Sequence, residues 1–439
     1  MSKDWIKRAA ATLGEHKFTT DSEVVDKLSK DYYWYSPILE QKLKDKLADG
    51  VVKALDEQDV IDTLIFAYQH NIPITSRGAG TGNYGQAIPL QGGILLDVSG
   101  LSEIIEIGNG YVRCQCGVKL GVLDKAVRET GQDLCIYPST YMVATIGGFI
   151  SGGSGGIGSV MHGMLWDGNV LELVAYTMEA TPRRLTIKGN DLLQFIHCYG
   201  TTGVITEVVI PLTPAKIWQE TIVHFDTLEI AAQFANNVAN DAMINKRLIS
   251  VHEWPIPSFF APLSRHLEPN AAAVLLEIET DSQPAVESMI EQSGGRIGYA
   301  KPSTQYRKGI SLSDFTWNHT TLWSIKKDPS YTYLQALLSR TNYIQQLQMI
   351  KSKFGEEVLI HLEWLKLGGT VLPVIIPIVY YTSEARLNEV IDYLESIEVS
   401  VDNPHTWVLN QQNSTRPEIL ESKQLNDPLG LLNPGKLVG

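Results

Sequence analysis

Between Ile72 and Gln86 the chain reads IPITSRGAGTGNYGQ, a short apolar run that opens into Gly78, Gly80, Gly82 and Gly85 with Arg77 at the mouth. Glycines this dense leave backbone N–H groups uncovered and free to take positive φ, which lets a chain wrap closely around phosphate oxygens. Arg77, Gly78, Ala79, Gly80, Thr81, Gly82, Asn83, Gly85 and Gln86 therefore read as a cradle for a phosphorylated cofactor. Gly80, Gly82 and Gly85 satisfy G-x-G-x-x-G, and Gly153, Gly155 and Gly158 do so again. A dinucleotide fingerprint of the Rossmann kind needs a helix to open directly after the glycines. Pro89, Gly92, Gly93 and the strand-like Ile94–Val98 follow instead, so that reading fails, and with no Lys-Ser or Lys-Thr after the glycines a P-loop fails too.

The second unusual stretch, Cys135–Gly163, interleaves glycine with Ser and Thr but is punctuated by Ile136, Val143, Ile146, Phe149, Ile150, Ile157 and Val160. Such anchors exclude a flexible linker and suggest a small-residue surface that approaches something flat or phosphorylated. Cys114 and Cys116, two apart in a strand-like run, read as small hydrophobes on one strand face.

Helices and strands must hold these loops. Val60, Ile61, Leu64, Ile65 and Tyr68 predict a helix over 59–71 that feeds the first loop and stops at Pro73. Strands follow at 93–98, 103–107 and 111–118, the last two joined through Gly108-Asn109-Gly110. Leu120, Leu123, Ala126 and Val127 mark a helix. Residues 171–177 predict a strand, 191–199 a short helix and 203–212 a strand, with Pro211 and Pro214 making a boundary. From about residue 216 strand-then-helix units repeat: 221–225 with 228–240, 273–279 with 284–292, and 374–381 with 384–397. That pattern suits an antiparallel sheet covered by helices.

A chain of 439 residues exceeds what one core usually serves, so two domains are expected. A net charge of −13 argues against a nucleic-acid-binding face. Four cysteines do not make a disulfide scaffold. The scattered charges of the N-terminus do not form a secretory signal, and the longest apolar run, 371–381, is too short to span a bilayer and contains Pro373 and Pro377. The expectation is a cytoplasmic protein with no transmembrane segment, peripheral membrane contact being left open.

Arg77-Gly78-Ala79-Gly80-Thr81 with Gly85, Pro138-Ser139 with Thr145-Ile146-Gly147-Gly148, Gly200–Thr206, and the terminal Asp427–Lys436 with its Asn-Pro-Gly-Lys resemble four signature blocks of the vanillyl-alcohol-oxidase and p-cresol-methylhydroxylase type of FAD-linked oxidoreductase. Glycolate oxidase flavin subunits and D-lactate dehydrogenases belong there. The resemblance implies an α+β, two-domain fold: an FAD-binding domain at 1–215, a substrate-covering cap at 216–400 with an antiparallel sheet under helices, and a segment at 401–439 that returns to the first domain. It implies FAD, cradled at its pyrophosphate by the first loop. Pro138, Ser139, Thr145, Gly147, Gly148, Ser151, Gly153 and Gly158 would line the flavin, Val204 and Ile205 would offer backbone contacts, and Asn433 and Lys436 would close the site. Covalent relatives often carry a histidine where this chain has Thr81, so dissociable FAD is expected.

Hydroxy-acid members resembling glycolate oxidase carry Gly-His-x-Gly-Asp-Gly-Asn-x-His in the second domain, and nothing of that form occurs here, so no metal is expected. Flavin performs the redox step, leaving the protein to bind substrate and manage one proton, a duty that suits histidine. Four second-domain histidines are candidates. His319 sits among Trp317, Asn318, Thr320, Thr321 and Trp323, as in a small-ligand pocket, the alternative being a hydrogen-bonded interior histidine in a strand. His361 and Glu363 alternate onto one strand face as base and orienter, or as a polar edge, and His405 is a further candidate. His252, beside Pro255 and Pro257, reads as a structural turn. Arg307, Lys308, Lys326 and Lys327 flank the His319 segment and could meet an anionic substrate, or simply be solvated. His162, which follows the glycine run, reads as the one first-domain histidine that could lie near the flavin. The leading function is a dehydrogenase of a small alcohol or 2-hydroxy acid that passes electrons to a quinone or carrier protein. The alternatives are a non-catalytic FAD-binding subunit and a flavin-dependent double-bond reductase.

Overall fold

The computed structural model describes residues 5–303, 311–409 and 417–437. The first glycine loop grows out of a four-stranded sheet in the order Phe18–Thr19, Gly50–Lys53, Ile94–Asp97, Ile74–Arg77, the last three strands parallel. The helix Glu57–Gln69 is capped by the Asp56 side chain and buries Val60, Leu64 and Ala67 against this sheet, so Ile74–Arg77 delivers the loop from a fixed edge. The chain end extends that edge: Ile74 N–H donates to Leu431 O at 2.8 Å and Asn433 N–H donates to Ile74 O at 2.7 Å.

A second sheet is antiparallel, with Ile104–Gly108, Tyr111–Gln115, Val204–Pro214, Glu172–Tyr176 and Arg184–Lys188 in that spatial order. Helix periodicity misleads at 191–199, where only the 3₁₀ turn Gly189–Gln194 forms. The amides of His197 and Tyr199 instead donate to Ile150 O and Ser151 O at 2.9 Å, pulling the chain across the helix Ile146–Gly152, and both residues take positive φ.

The third sheet has eight antiparallel strands, among them Lys246–His252, His361–Leu367, Thr370–Ile375, Gln335–Leu337 and Ser400–Asp402 as successive neighbours. Side chains alternate between its faces. Leu362, Trp364 and Ile375 join the core under the helices Leu228–Asn240, Tyr343–Phe354 and Glu384–Ser396. Leu365 and Val374 turn the other way, into the core shared with the first two sheets. Among the described residues no helix is long and apolar enough to cross a membrane.

Candidate functional site

A cavity of about 990 Å³ runs between the glycine loops and the face of the eight-stranded sheet that is turned away from its covering helices. On its first wall, the backbone amides of Gly78 through Asn83 have no acceptor among the described residues. Six consecutive uncommitted N–H groups make an anion-binding concavity. Gly80 adopts φ +65°, and a Cβ placed on it would lie 2.0 Å from the Arg77 guanidinium. That guanidinium donates to Lys30 O at 2.6 Å and to Ala79 O at 3.4 Å, while its buried Nε–H has no partner. The arrangement fits a pyrophosphate: unpaired donors, a cation and no intervening side chain. Gly78 closes on the opposite wall, where an added Cβ would meet Thr145 Oγ1 at 2.1 Å.

Several proposed cofactor residues line the cavity: Arg77 through Asn83 and Gln86 on one side; Pro138, Ser139, Thr145, Gly147, Gly148, Ser151 and Gly153 on the other; Val204 and Ile205 between them. Gly85, Gly158, Asn433 and Lys436 do not line it. Lys436, fully buried, donates from Nζ to Gly85 O, and Asn433 Nδ2 donates to Gln86 O (2.8 Å) and Tyr199 O (2.7 Å), so the tail braces the loop from behind. Burial lowers Lys436 to about 7 and raises Asp31 to about 6, while the two charges support one another. Gly158 N–H donates to Arg247 O at 2.7 Å and so joins the second glycine stretch to the third sheet.

His162 stands outside the cavity surface; the first-domain histidine on it is His197, whose Nδ1–H donates to Gly153 O at 2.9 Å. Sequence reasoning passed over His197 because its segment looked helical.

The sheet side brings in His319 with Asp314, Trp317 and Asn318. His319 lies in the first turn of the helix Asn318–Lys327, not in a strand. Its Nδ1–H points to Ser313 O at 3.4 Å. Burial lowers its pKa below the ordinary imidazole value, against the opposing pull of the Asp314 carboxylate.

His361 and Glu363 share the cavity-side face of their strand but lie beneath the lining, at 0% and 1% exposure. Glu363 Oε1 accepts from Ser250 Oγ (2.8 Å) and from the Trp317 amide (2.8 Å), and shares a proton with His361 Nε2 (2.9 Å). Burial raises Glu363 to about 8 and lowers His361 to about 3, so near neutral pH the pair holds one proton. His252 belongs to this cluster and not to a turn: it ends a central strand, stacks on His361 at 4.6 Å and contacts Thr320 Oγ1 at 3.1 Å. The cluster holds Trp317 at φ +51°, and thereby presents His319 to the cavity.

His405 is elsewhere, with Nδ1 on Ser36 Oγ at 2.6 Å and Nε2–H on Tyr333 O at 2.8 Å, both ring nitrogens committed to protein. Lys326 and Lys327 are exposed outside the cavity, Lys326 over the Trp323 ring. Arg307 and Lys308 lie outside the described residues. Cavity residues the sequence did not flag include Tyr84, whose hydroxyl donates to Gln335 Oε1 at 2.8 Å, and Asp402, cross-strand partner of Gln335.

An open amide cradle, a bracing tail and a half-apolar chamber define a protein that encloses a phosphorylated cofactor against a substrate-sized space. Residues 48–185 match the family model described as FAD binding domain, and the cofactor is FAD. Over 244 residues the chain is 27% identical to the glycolate oxidase subunit GlcD of Bacillus subtilis, covering 54% of this chain and 52% of the relative. It is 29% identical over 218 residues to a D-lactate dehydrogenase of Archaeoglobus fulgidus, covering 46% and 49%. These matches span about half the length of the curated relatives. An alkyldihydroxyacetonephosphate synthase structure shares the fold with a TM-score of 0.76 at 15% identity, covering 100% of this chain and 85% of that one. These similarities support the vanillyl-alcohol-oxidase type of FAD-linked oxidoreductase, with the family-model match lying at residues 48–185.

Proposed function

We propose that the chain is a dehydrogenase that oxidises a small alcohol or 2-hydroxy acid and hands the electrons to a quinone or other carrier. In this reading residues 1–215 hold the cofactor, 216–400 cap the substrate and 401–439 close the cofactor site. The carrying observation is that His319 and the amide cradle face one continuous cavity. Relatives named for glycolate and D-lactate support a hydroxyl-bearing donor. Bound FAD would supply acceptance of a hydride from the substrate carbon.

The chain's own task is the hydroxyl proton. With Nδ1–H turned to Ser313 O, the acceptor of His319 is Nε2, and burial keeps the ring neutral at pH 7. A His319→Gln protein is expected to keep its FAD and to reduce it about 10²–10⁴-fold more slowly in anaerobic stopped flow, the usual share of a positioned base. The parent's rate should fall as pH drops through a value below 6.5, where the imidazole protonates, and this limb should be absent in the variant. A parental rate in the variant would remove His319 from the reaction.

The cofactor is held without a covalent bond in this reading. Thr81 lines the cavity, and burial pushes the Cys116 thiol on the same surface far above its ordinary pKa, so it stays protonated and poorly nucleophilic. Acid precipitation is expected to leave the yellow colour in the supernatant, and a yellow pellet would contradict this.

A further inference from the structure

Beside His319 the cavity carries a cluster of neutral hydroxyl and amide groups that the proton transfer does not use. Tyr84, on the first glycine loop, reaches across to the third sheet, where its hydroxyl donates to Gln335 Oε1 at 2.8 Å. Gln335 Nε2 in turn donates to Asn318 Oδ1 at 3.4 Å, and Asn318 directly precedes His319 in the first turn of their helix. All three residues line the cavity. Behind them Tyr333 is fully buried, and its hydroxyl has no partner among the described residues. Asn318 and Tyr333 also bear on the Tyr84 hydroxyl. Tyr199 lines the same cavity from the first domain and lies close to both Tyr84 and Tyr333. Burial raises the Tyr84, Tyr199 and Tyr333 phenols above their ordinary value, so each keeps its hydrogen near neutral pH.

The cluster has hydrogen-bonding capacity left over. Tyr84 gives its hydrogen to Gln335 and keeps a lone pair with which to accept. The Asn318 Nδ2 hydrogens have no acceptor among the described residues, and the Tyr199 hydroxyl has no partner there. One acceptor beside two donors matches a group that both donates and accepts, as an alcohol hydroxyl does. A site built to pair such a group discriminates against an analogue that lacks it, because its own polar atoms are then left unpaired. Asn318 and His319 are consecutive, so one small molecule can place an oxygen at each. We infer that Tyr84, Asn318 and Tyr199 form a subsite for a second hydroxyl on the electron donor, which makes diols and other polyhydroxy compounds its preferred substrates. The inference rests on the dehydrogenase reading above and narrows it. In the reaction the first hydroxyl's carbon loses its C–H bond and the hydroxyl its O–H bond as a C=O bond forms; two electrons leave as hydride to FAD and the proton goes to His319. The second hydroxyl is held and stays intact.

Matched pairs test it, each differing only by methyl in place of the second hydroxyl: ethylene glycol against 1-propanol, and glycerate against 2-hydroxybutanoate. One pair is uncharged and the other anionic, so the result does not depend on whether the donor carries a carboxylate. With the FAD-loaded chain under anaerobic conditions, the dihydroxy member of at least one pair is expected to bleach the flavin band with an efficiency about tenfold or more above its twin. Tyr84→Phe keeps the ring and removes the hydroxyl. At equal flavin content it should shrink that gap about tenfold, mainly by raising KM for the dihydroxy donor. If this variant fails to fold or to load FAD, Asn318→Ala supplies the same comparison. Equal efficiencies within both pairs overturn the inference and leave the dehydrogenase reading standing. A gap that persists in folded, flavin-loaded Tyr84→Phe and Asn318→Ala proteins overturns the assignment of the subsite to these side chains. If no donor reduces a flavin that dithionite still bleaches, the dehydrogenase reading falls, and the inference with it.

Discussion

A Gly80→Val protein is expected to fold and to purify without its flavin. Position 80 sits at φ +65°, where an L-residue costs about 1–2 kcal/mol and a β-branched one more. Its Cβ would also fall 2.0 Å from the Arg77 guanidinium, so the guanidinium must leave. Leaving breaks its bonds to Lys30 O and Ala79 O, and hydrogen bonds from a charged donor contribute about 1.5–3 kcal/mol each. The sheet beneath depends on none of this, because Ile74–Arg77 is fixed by Ile94–Asp97 on one side and the chain end on the other. The cost therefore falls on the cradle. Three kcal/mol of disturbed binding geometry is roughly a hundredfold in Kd. Titration of the apoprotein with FAD, followed by fluorescence, measures it, and circular dichroism checks the fold. A Kd within about twofold of the parent would show that the loop amides do not carry the cofactor.

The same loop shows why the cofactor side was readable in sequence. A glycine cluster announces a bare backbone directly, without knowledge of what lies across from it. The tail is different: Asn433 and Lys436 act on carbonyls some 350 positions away, and only the resemblance pointed to them. The substrate side hardly reads at all, because its geometry is made by strand pairing between distant segments. His252 meets His361 through a cross-strand register that no local pattern reveals, while the prolines after it suggested a turn. Asp402 gains its place by pairing with Gln335, and Tyr84 reaches that pair from the first loop. His197 was hidden for a related reason, since its segment has helical spacing but spends its amides on another helix's carbonyls.

Glu363 is where such long-range assembly should be most sensitive. A Glu363→Ala protein is expected to be strongly destabilised and slow, yet still able to bind FAD. One oxygen receives the Trp317 amide, the Ser250 hydroxyl and the His361 contact in a site with essentially no solvent. Orphaning a buried donor costs about 1–3 kcal/mol, so the loss should reach about 3–5 kcal/mol. At about 2–4 °C per kcal/mol for a domain of this size, the melting midpoint should drop by roughly 10 °C. Trp317, at φ +51°, would lose the acceptor that holds its amide, and the helix start carrying His319 would move with it. Flavin reduction should then slow while FAD content stays near parental.

Glu363→Gln separates position from charge. It keeps an acceptor oxygen for Trp317 and Ser250, so most of the stability and rate should return. It also removes a titration whose sign is fixed. Folding raises this carboxyl from 4.5 to about 8, so the folded chain holds the proton more tightly than the unfolded one. The stability it contributes is complete below pH 4.5 and is lost as pH rises toward 8. Glu220, also raised to about 8, adds a loss in the same direction in both proteins, so the informative quantity is the difference between parent and variant. That difference should shift against the parent across this window, and a flat one would mean that the folded pair holds no proton there, with Glu363 ionised and His361 neutral.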